Sequence, residues 1–265
     1  MTTTRSSARF LPFWTGRTSS GQRYSGPIYN MAKAQEHANF MTSSDRVRGA
    51  VDLGCGAGEI LSEFTNLVTI NAAVDFSSSM IEAAKKSIPN RGIAFHCQDV
   101  FEYLSVSRES VWTSSQGINQ YSDERMLTEL FAAFAKSQEA SAMYLFDTID
   151  PFKYLLARGG VLGAYYGGIH FSIVKRTLML LVGTVISLLY PRWFQIGYLG
   201  RIVGYGVSPT FWTRMCGNHD LNVRMVSSLH YEYRYHVAIE KKHLPNNDFS
   251  ASGTDNHSGR PAFEP

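Results

Sequence analysis

The stretch Val51-Asp52-Leu53-Gly54-Cys55-Gly56-Ala57-Gly58-Glu59, followed after a helical segment by Asn71-Ala72-Ala73-Val74-Asp75-Phe76, decides how this chain is read. A short apolar run ends in glycines, a helix follows, and a second apolar run closes on an acid about twenty residues later, which outlines a nucleotide-binding strand-helix-strand unit. Glycines are needed where a chain leaving a buried strand turns sharply and lets its backbone approach a ligand, which a Cβ would prevent. The helix opening near Gly58 points its first amide groups at the same place. Asp75, at the tip of the second strand, is positioned to accept hydrogen bonds from the two hydroxyls of a ribose. The spacing also narrows the ligand. A dinucleotide site wants GxGxxG, whereas glycines stand here at 54, 56 and 58 and Glu59 takes the final place. No GxxxxGK[ST] loop occurs either, so a phosphate cradle is poorly supported.

At Asp52-Leu53-Gly54-Cys55-Gly56-Ala57-Gly58 the chain resembles the class I S-adenosylmethionine-dependent methyltransferases, whose first motif is a strand ending in an acid, a hydrophobic residue and GxGxG. The likeness covers residues 50–150 and returns at 222–242. It implies a sulfonium cofactor without phosphates, S-adenosyl-L-methionine, with its amino acid part beside Asp52, Gly54, Cys55 and Gly56 and its ribose on Asp75. Asp75-Phe76-Ser77-Ser78-Ser79-Met80 is similar to the family's strand-two motif, in which the acid, Phe76 and Met80 surround ribose and adenine; Phe76 and Met80 read equally well as core. The acid ending the third strand accepts from the adenine amino group in this family, and the next backbone amide meets a ring nitrogen. Asp99 and Val100 are the matching positions. The end of the fourth strand, Ser114 and Ser115, lies beside the methyl donor. Here the chain departs from the amino-group methylases, which carry Asn or Asp, Pro-Pro and an aromatic where this sequence has Ser115-Gln116-Gly117-Ile118-Asn119-Gln120-Tyr121. That departure argues against an exocyclic nitrogen as acceptor.

The flanking elements follow from periodicity. Met31, Ala34, Ala38 and Met41 make a helical apolar stripe over 29–42, with Lys33, Glu36 and His37 on or near another face. Ser77 to Ser79 start a helix that Pro89, Asn90 and Gly92 stop. Strands are predicted at 93–100, where His96 is structural, and at 111–117, and Ser122 caps a helix carrying Met126, Leu127, Leu130, Phe131 and Phe134. Ser141-Ala142-Met143-Tyr144-Leu145-Phe146 is a fifth strand delivering Asp147-Thr148-Ile149-Asp150-Pro151 to the ligand edge of the sheet. A short helix at 209–216 and two strands, 222–229 and 233–241, complete the fold. The expected architecture is α/β: a Rossmann-like, doubly wound, mostly parallel seven-stranded sheet with an antiparallel last strand, an N-terminal helical lid over 1–45 and an apolar helical insert at about 151–208, between strands 5 and 6. The methyltransferase domain spans 46–243, and the Asn-, Ser- and Gly-rich residues 244–265 form a disordered tail.

Length, 265 residues of which 44% are hydrophobic, suits one large core with an attached lid or insert. The net charge of +3 is unevenly spread: residues 49–150 carry six basic and fourteen acidic side chains, while 151–191 carry four basic and none acidic. Basic flanks around an acidic centre suit an anionic acceptor or a lipid head group. Cys55, Cys97 and Cys216 are widely spaced and suggest neither a disulfide framework nor zinc, which fits a cytoplasmic protein. No secretory signal is read at the N-terminus, and a transit peptide stays open. In 1–30 four arginines interleave with aromatics, a pattern able to stack on single-stranded nucleic acid. Their spacing is irregular, so a lid burying aromatics is favoured over nucleic acid, with Tyr24 and Tyr29 as its contacts.

Residues 177–190 form the most apolar run, fourteen without a charge, or about 21 Å of helix, against roughly 30 Å of bilayer hydrocarbon. The run does not span. With Lys175 and Arg176 before it and Arg192 and Trp193 after it, it reads as peripheral contact through 177–194 with the inner face of a membrane, the wall of a lipid pocket, a buried insert helix or a homodimer face. Direct displacement from a sulfonium asks the protein to align groups and exclude water, with a base where the acceptor is a hydroxyl. The favoured expectation is O-methylation of a small-molecule, saccharide or lipid-linked acceptor, and the pairing of 147–151 with Tyr231-Glu232-Tyr233-Arg234-Tyr235-His236 resembles, more weakly, methyltransferases of surface-polysaccharide clusters. The alternatives are a non-catalytic binding or regulatory module of the same fold and a nucleic-acid-binding methyltransferase using the basic flanks. Candidate bases are Asp147, Asp150, His37 and His170, the two acids being equally readable as helix caps. No metal-ligand spacing occurs, which predicts metal independence.

Overall fold

The computed structural model describes residues 17, 26–89, 91–158, 178, 181, 185, 193–198 and 201–242. Tyr24, His170 and most of the apolar run at 177–190 lie outside them. The short apolar runs become strands β1 (Ala50–Leu53), β2 (Ile70–Asp75), β3 (Ala94–Cys97), β4 (Val111–Ser115) and β5 (Ala142–Ile149), all parallel to one another. β8 (Leu221–Ser227) and β9 (Arg234–Lys241) close a seven-stranded sheet in the order β3-β2-β1-β4-β5-β9-β8, with β9 antiparallel to both neighbours. Every residue of β1 and β5 is buried, as strands covered on both faces must be. The order reverses between β1 and β4, and the crevice above that switch point is where open α/β sheets take ligands.

Side chains alternate across the sheet and feed two cores. Val51, Leu53, Trp112, Met143 and Leu145 pack with Leu127, Leu130, Phe131 and Phe134 of α7 (Glu124–Lys136) on one face. Ala50, Val111, Ala142, Tyr144 and Phe146 pack on the other with Ala34, Ala38 and Phe40 of α1 (Pro27–Phe40) and Phe64 of α3 (Leu61–Phe64). Between α1 and β1 lies α2 (Ser43–Val47), whose buried Asp45 accepts from the Tyr144 hydroxyl at 2.7 Å. Ser77 caps α4 (Ser78–Ser87) as expected, accepting from Met80 N at 3.4 Å. The cap of α7 is Asp123 rather than Ser122, accepting from Met126 N at 2.9 Å. A carboxylate is the stronger acceptor at a helix N-terminus, and the neighbouring serine is buried.

Two expectations change. Of the apolar stripe on α1, Ala34, Ala38 and Met41 are buried but Met31 is 56% exposed, and Lys33, Glu36 and His37 on the other face are buried too, because their partners are polar groups near the ends of β5 and β9. The insert is also more than helical: after α5 (Val100–Leu104), α6 (Gly117–Tyr121) and α8 (Pro151–Arg158) come β6 (Trp193–Tyr198) and β7 (Arg201–Val207), an antiparallel hairpin outside the main sheet, and then α9 (Pro209–Asn218). Leu178, Leu181 and Val185 are helical and at least half exposed. Among the described residues, no helix is long and apolar enough to cross a membrane.

Candidate functional site

The turn after β1 is pinned to β2 by a carboxylate. Asp75 Oδ2 accepts the amide hydrogen of Gly56 at 3.0 Å and its Oδ1 that of Ser77 at 2.9 Å, so one side chain fixes both the glycine turn and the start of α4. Gly56 has φ 56°, and a Cβ placed on it would meet nothing within 4 Å: the residue borders open cavity. Gly117, opening α6, packs backbone to backbone, since a Cβ there would stand 2.8 Å from Gly54 O and 2.9 Å from Leu53 O. The glycines therefore bring β1, α6 and a ligand space together without side chains between them.

Around that space lie Asp52, Gly54, Cys55, Gly56, Asp75, Phe76, Met80, Asp99, Val100 and Ser115, all expected there. Burial pushes the Asp52 carboxyl up to about 7, with the Thr113 hydroxyl donating at 3.3 Å working against the rise and nearby Asp75 adding to it. Burial also raises Asp75, and the amides of Ser77 and Gly56 oppose it. The Cys55 thiol, buried beside both acids, is raised well above its ordinary value and stays protonated. Asp99 Oδ1 accepts from Phe101 N at 2.8 Å, capping α5. Ser114 is the exception among the expected wall residues. It is fully buried, donating to Leu53 O at 2.6 Å and accepting from Ile118 N at 3.0 Å, so it ties β1, β4 and α6 together from beneath the cavity.

Sequence reading missed Glu59, Gln116, Tyr121, Phe64 and Phe146, which line the same space. Gln116 carried a signal: it stands between the end of β4 and Gly117, the place where the chain must turn toward the ligand edge. Its φ is 64°, and Asp147, at the matching end of β5, has φ 57°. Side chains in that region are uncommon and carry a steric cost. The two residues are joined, Gln116 Nε2 donating to Asp147 Oδ2 at 2.9 Å. The turn at Asp147 coincides with a register shift between Leu145 and Thr148 against β9, which aims the carboxylate at α1.

There it meets a buried polar cluster. Lys33 pairs with Asp147, His37 Nε2 lies 3.7 Å away, and Arg234 donates to the Asp147 carbonyl at 2.9 Å. Burial alone would raise the Asp147 carboxyl, but Lys33, His37 and Arg234 outweigh it and hold the group well below the usual carboxylate range. Burial lowers the Lys33 ammonium, with Asp147 pulling it back. Burial likewise lowers His37 to about 4, leaving a neutral ring stacked on Phe146 at 4.2 Å and facing the cavity. His236 Nδ1 accepts the Asp147 amide hydrogen at 3.1 Å while its Nε2 lies 2.9 Å from Glu36 Oε1. His37, Asp147 and His236 bring donor atoms within 4.8 Å of one another; Lys33 pairs with the acid, His236 Nδ1 accepts the Asp147 amide hydrogen, and His236 Nε2 faces Glu36. The set is built as a polar tie between helix and sheet. Asp150 is also placed structurally: its Oδ1 accepts from Phe152 N and Lys153 N, capping α8, and its own amide donates to Tyr233 O. Segments 147–151 and 231–236 do meet. Tyr29 hydrogen-bonds Tyr231 instead of facing the cavity.

Residues 50–137 match the family model described as a methyltransferase domain. No curated protein sequence matches the chain. Among solved structures, a putative S-adenosylmethionine-dependent methyltransferase from Listeria monocytogenes is similar with a TM-score of 0.55 at 10% identity, covering 82% of this chain and 100% of that one. Magnesium protoporphyrin IX methyltransferase from Synechocystis PCC 6803, with bound SAM, gives 0.53 at 9%, covering 91% and 100%. The mitomycin 7-O-methyltransferase MmcR gives 0.51 at 14%, covering 81% of this chain and 54% of that one. At such identities the likeness establishes a shared fold.

Proposed function

We propose that this chain is a class I S-adenosylmethionine-dependent methyltransferase that methylates a hydroxyl oxygen of a small-molecule, saccharide or lipid-linked acceptor by direct displacement, without a metal. The observation that carries the reading is one cavity that begins at the glycine turn gripped by Asp75 and ends against Gln116 and His37. The residues present fit the cofactor. Each Asp75 oxygen already accepts one amide and has a lone pair left for a ribose hydroxyl. Asp52 faces the amino acid end, where an ammonium would draw its carboxyl back to the ionised form. Phe76, Met80, Asp99 and Val100 form the wall for the adenine. The cofactor supplies, when bound, a methyl group on a positively charged sulfur. The protein's part is to align acceptor and methyl and to keep water out, which an apolar inner wall of Phe64, Ile118 and Phe146 favours.

An oxygen acceptor is supported by Ser115-Gln116-Gly117, which lacks the Pro-Pro-aromatic element of amino-group methylases. The test is incubation with carbon-13 methyl-labelled cofactor and a panel of hydroxylated small molecules, glycans and lipid-linked glycans. A product methyl with the carbon shift of an ether supports the reading; labelled methylamines alone would overturn it. A second observation bears on where the acceptor lies. Leu178, Leu181 and Val185, spaced to share one helical face, are exposed beside a run with basic flanks, which supports peripheral contact with an anionic membrane.

A further inference from the structure

His37 is a buried polar side chain among the residues lining the cavity, with its Nε2 3.7 Å from Asp147 Oδ2. It is 1% exposed, and among the described residues neither ring nitrogen has a hydrogen-bond partner, a state that costs free energy unless something else uses it. Its orientation is fixed on three sides. The ring stacks on Phe146 with 5° between planes, meets Phe64 edge-on at 6.3 Å and His236 at 5.3 Å. With Nε2 turned toward Asp147 at 3.7 Å, Nδ1 keeps its lone pair. The charged groups around it are Lys33 on α1, Asp147 on β5 and Arg234 on β9, with His236 also on β9. Next to it stand two non-glycine residues in the left-handed region, Gln116 and Asp147, hydrogen-bonded to each other at adjacent strand ends. Backbone strain of this kind persists where surrounding structure enforces it, and functional sites are where it gathers.

We propose that His37 is the group that accepts the acceptor's proton during methyl transfer. The inference rests on the cofactor reading above and assigns a role within the same cavity. As the acceptor oxygen bonds to the methyl carbon, the carbon–sulfur bond breaks and its electron pair stays on sulfur. The hydroxyl proton passes to the imidazole, so the positive charge lost from the sulfonium reappears on His37, where the Asp147 carboxylate offsets it. A ring held neutral by burial is ready for that step without first losing a proton to solvent.

The test needs no acceptor. Sinefungin carries an ammonium where the sulfonium holds its methyl, whereas S-adenosylhomocysteine carries nothing there. A base poised at that position accepts a hydrogen bond from the ammonium, so wild type should prefer sinefungin, and His37→Gln and His37→Asn should each reduce the ratio of the two affinities about tenfold, one hydrogen bond to a charged group. S-adenosylhomocysteine affinity should stay within twofold, which also reports that the variants are folded. An unchanged ratio with intact S-adenosylhomocysteine binding overturns the assignment while leaving the cofactor reading standing. Failure of wild type to bind either nucleoside overturns both. Loss of both ligands by folded variants, as judged by near-ultraviolet circular dichroism, would make His37 a structural support and overturn its role as proton acceptor.

Discussion

Asp52 and Asp75 stand one strand apart at the same sheet edge, and their environments set them different tasks. Asp75 has two backbone amides on its oxygens; Asp52 has one hydroxyl and is pushed up to about 7. The fold of the empty protein thus favours the protonated Asp52. Its contribution to stability is fully present below the unfolded value of 3.8 and is lost as pH rises through 7. A ligand ammonium reverses the preference. Calorimetric affinity for S-adenosylhomocysteine should therefore tighten about tenfold between pH 6 and pH 8, and Asp52→Asn should flatten that profile. Both acids were legible in the sequence, because an acid at the end of a short apolar run has few structural uses. Gln116 was legible only by its place between the fourth strand and Gly117, its left-handed turn leaving no mark in composition, and the inward direction of His37 was not legible, because hydrophobic periodicity assigns polar residues to the outside.

For elements, the informative pair is α1 and β5. The helix docks through Ala34 and Ala38, as its stripe predicts, and also through Phe40 and through Lys33, whose ammonium sits on Asp147. Breaking such a buried pair from one side leaves an uncompensated charge, so Lys33→Met should cost about 3–5 kcal/mol in denaturant unfolding. Lys33→Met combined with Asp147→Asn should recover much of that loss, a non-additivity that a double-mutant cycle measures directly. The junction of β1 and α6 makes a separate demand. Gly117→Ala pushes a Cβ against the backbone of Leu53 and Gly54, with no flexible side chain to give way. Overpacking of this kind costs about 2 kcal/mol, roughly 5 °C in Tm, and nucleoside affinity should fall with it. Strands and helices of the parallel half were legible because short apolar runs alternate with stretches of helical periodicity. The β6–β7 hairpin was not, since its glycines and aromatics fit no simple period.

The whole molecule combines a mostly parallel sheet, with a cavity at its switch point, and a β6–β7 hairpin outside that sheet. The overall architecture was legible because five apolar runs alternate with helical patterns and only one handed crossover topology accommodates them. No step proposed here uses a metal, and in the buried cluster Lys33 pairs with Asp147 while His236 meets the Asp147 amide and Glu36. Methyl transfer in the presence of a chelator should match transfer without it within twofold; complete loss would contradict the mechanism. Vesicles containing anionic lipid should retain the protein on sedimentation more than neutral vesicles do, and Leu181→Glu should release it. The central claim is that Asp75 and the turn at Gly56 seat a sulfonium nucleoside, and isothermal titration of purified protein with S-adenosylmethionine tests it most directly. The expected outcome is one site per chain and about a hundredfold weaker binding in Asp75→Ala, the loss of about 3 kcal/mol of charge-assisted hydrogen bonding. Absence of binding by wild type, or undiminished binding by the variant, would contradict it.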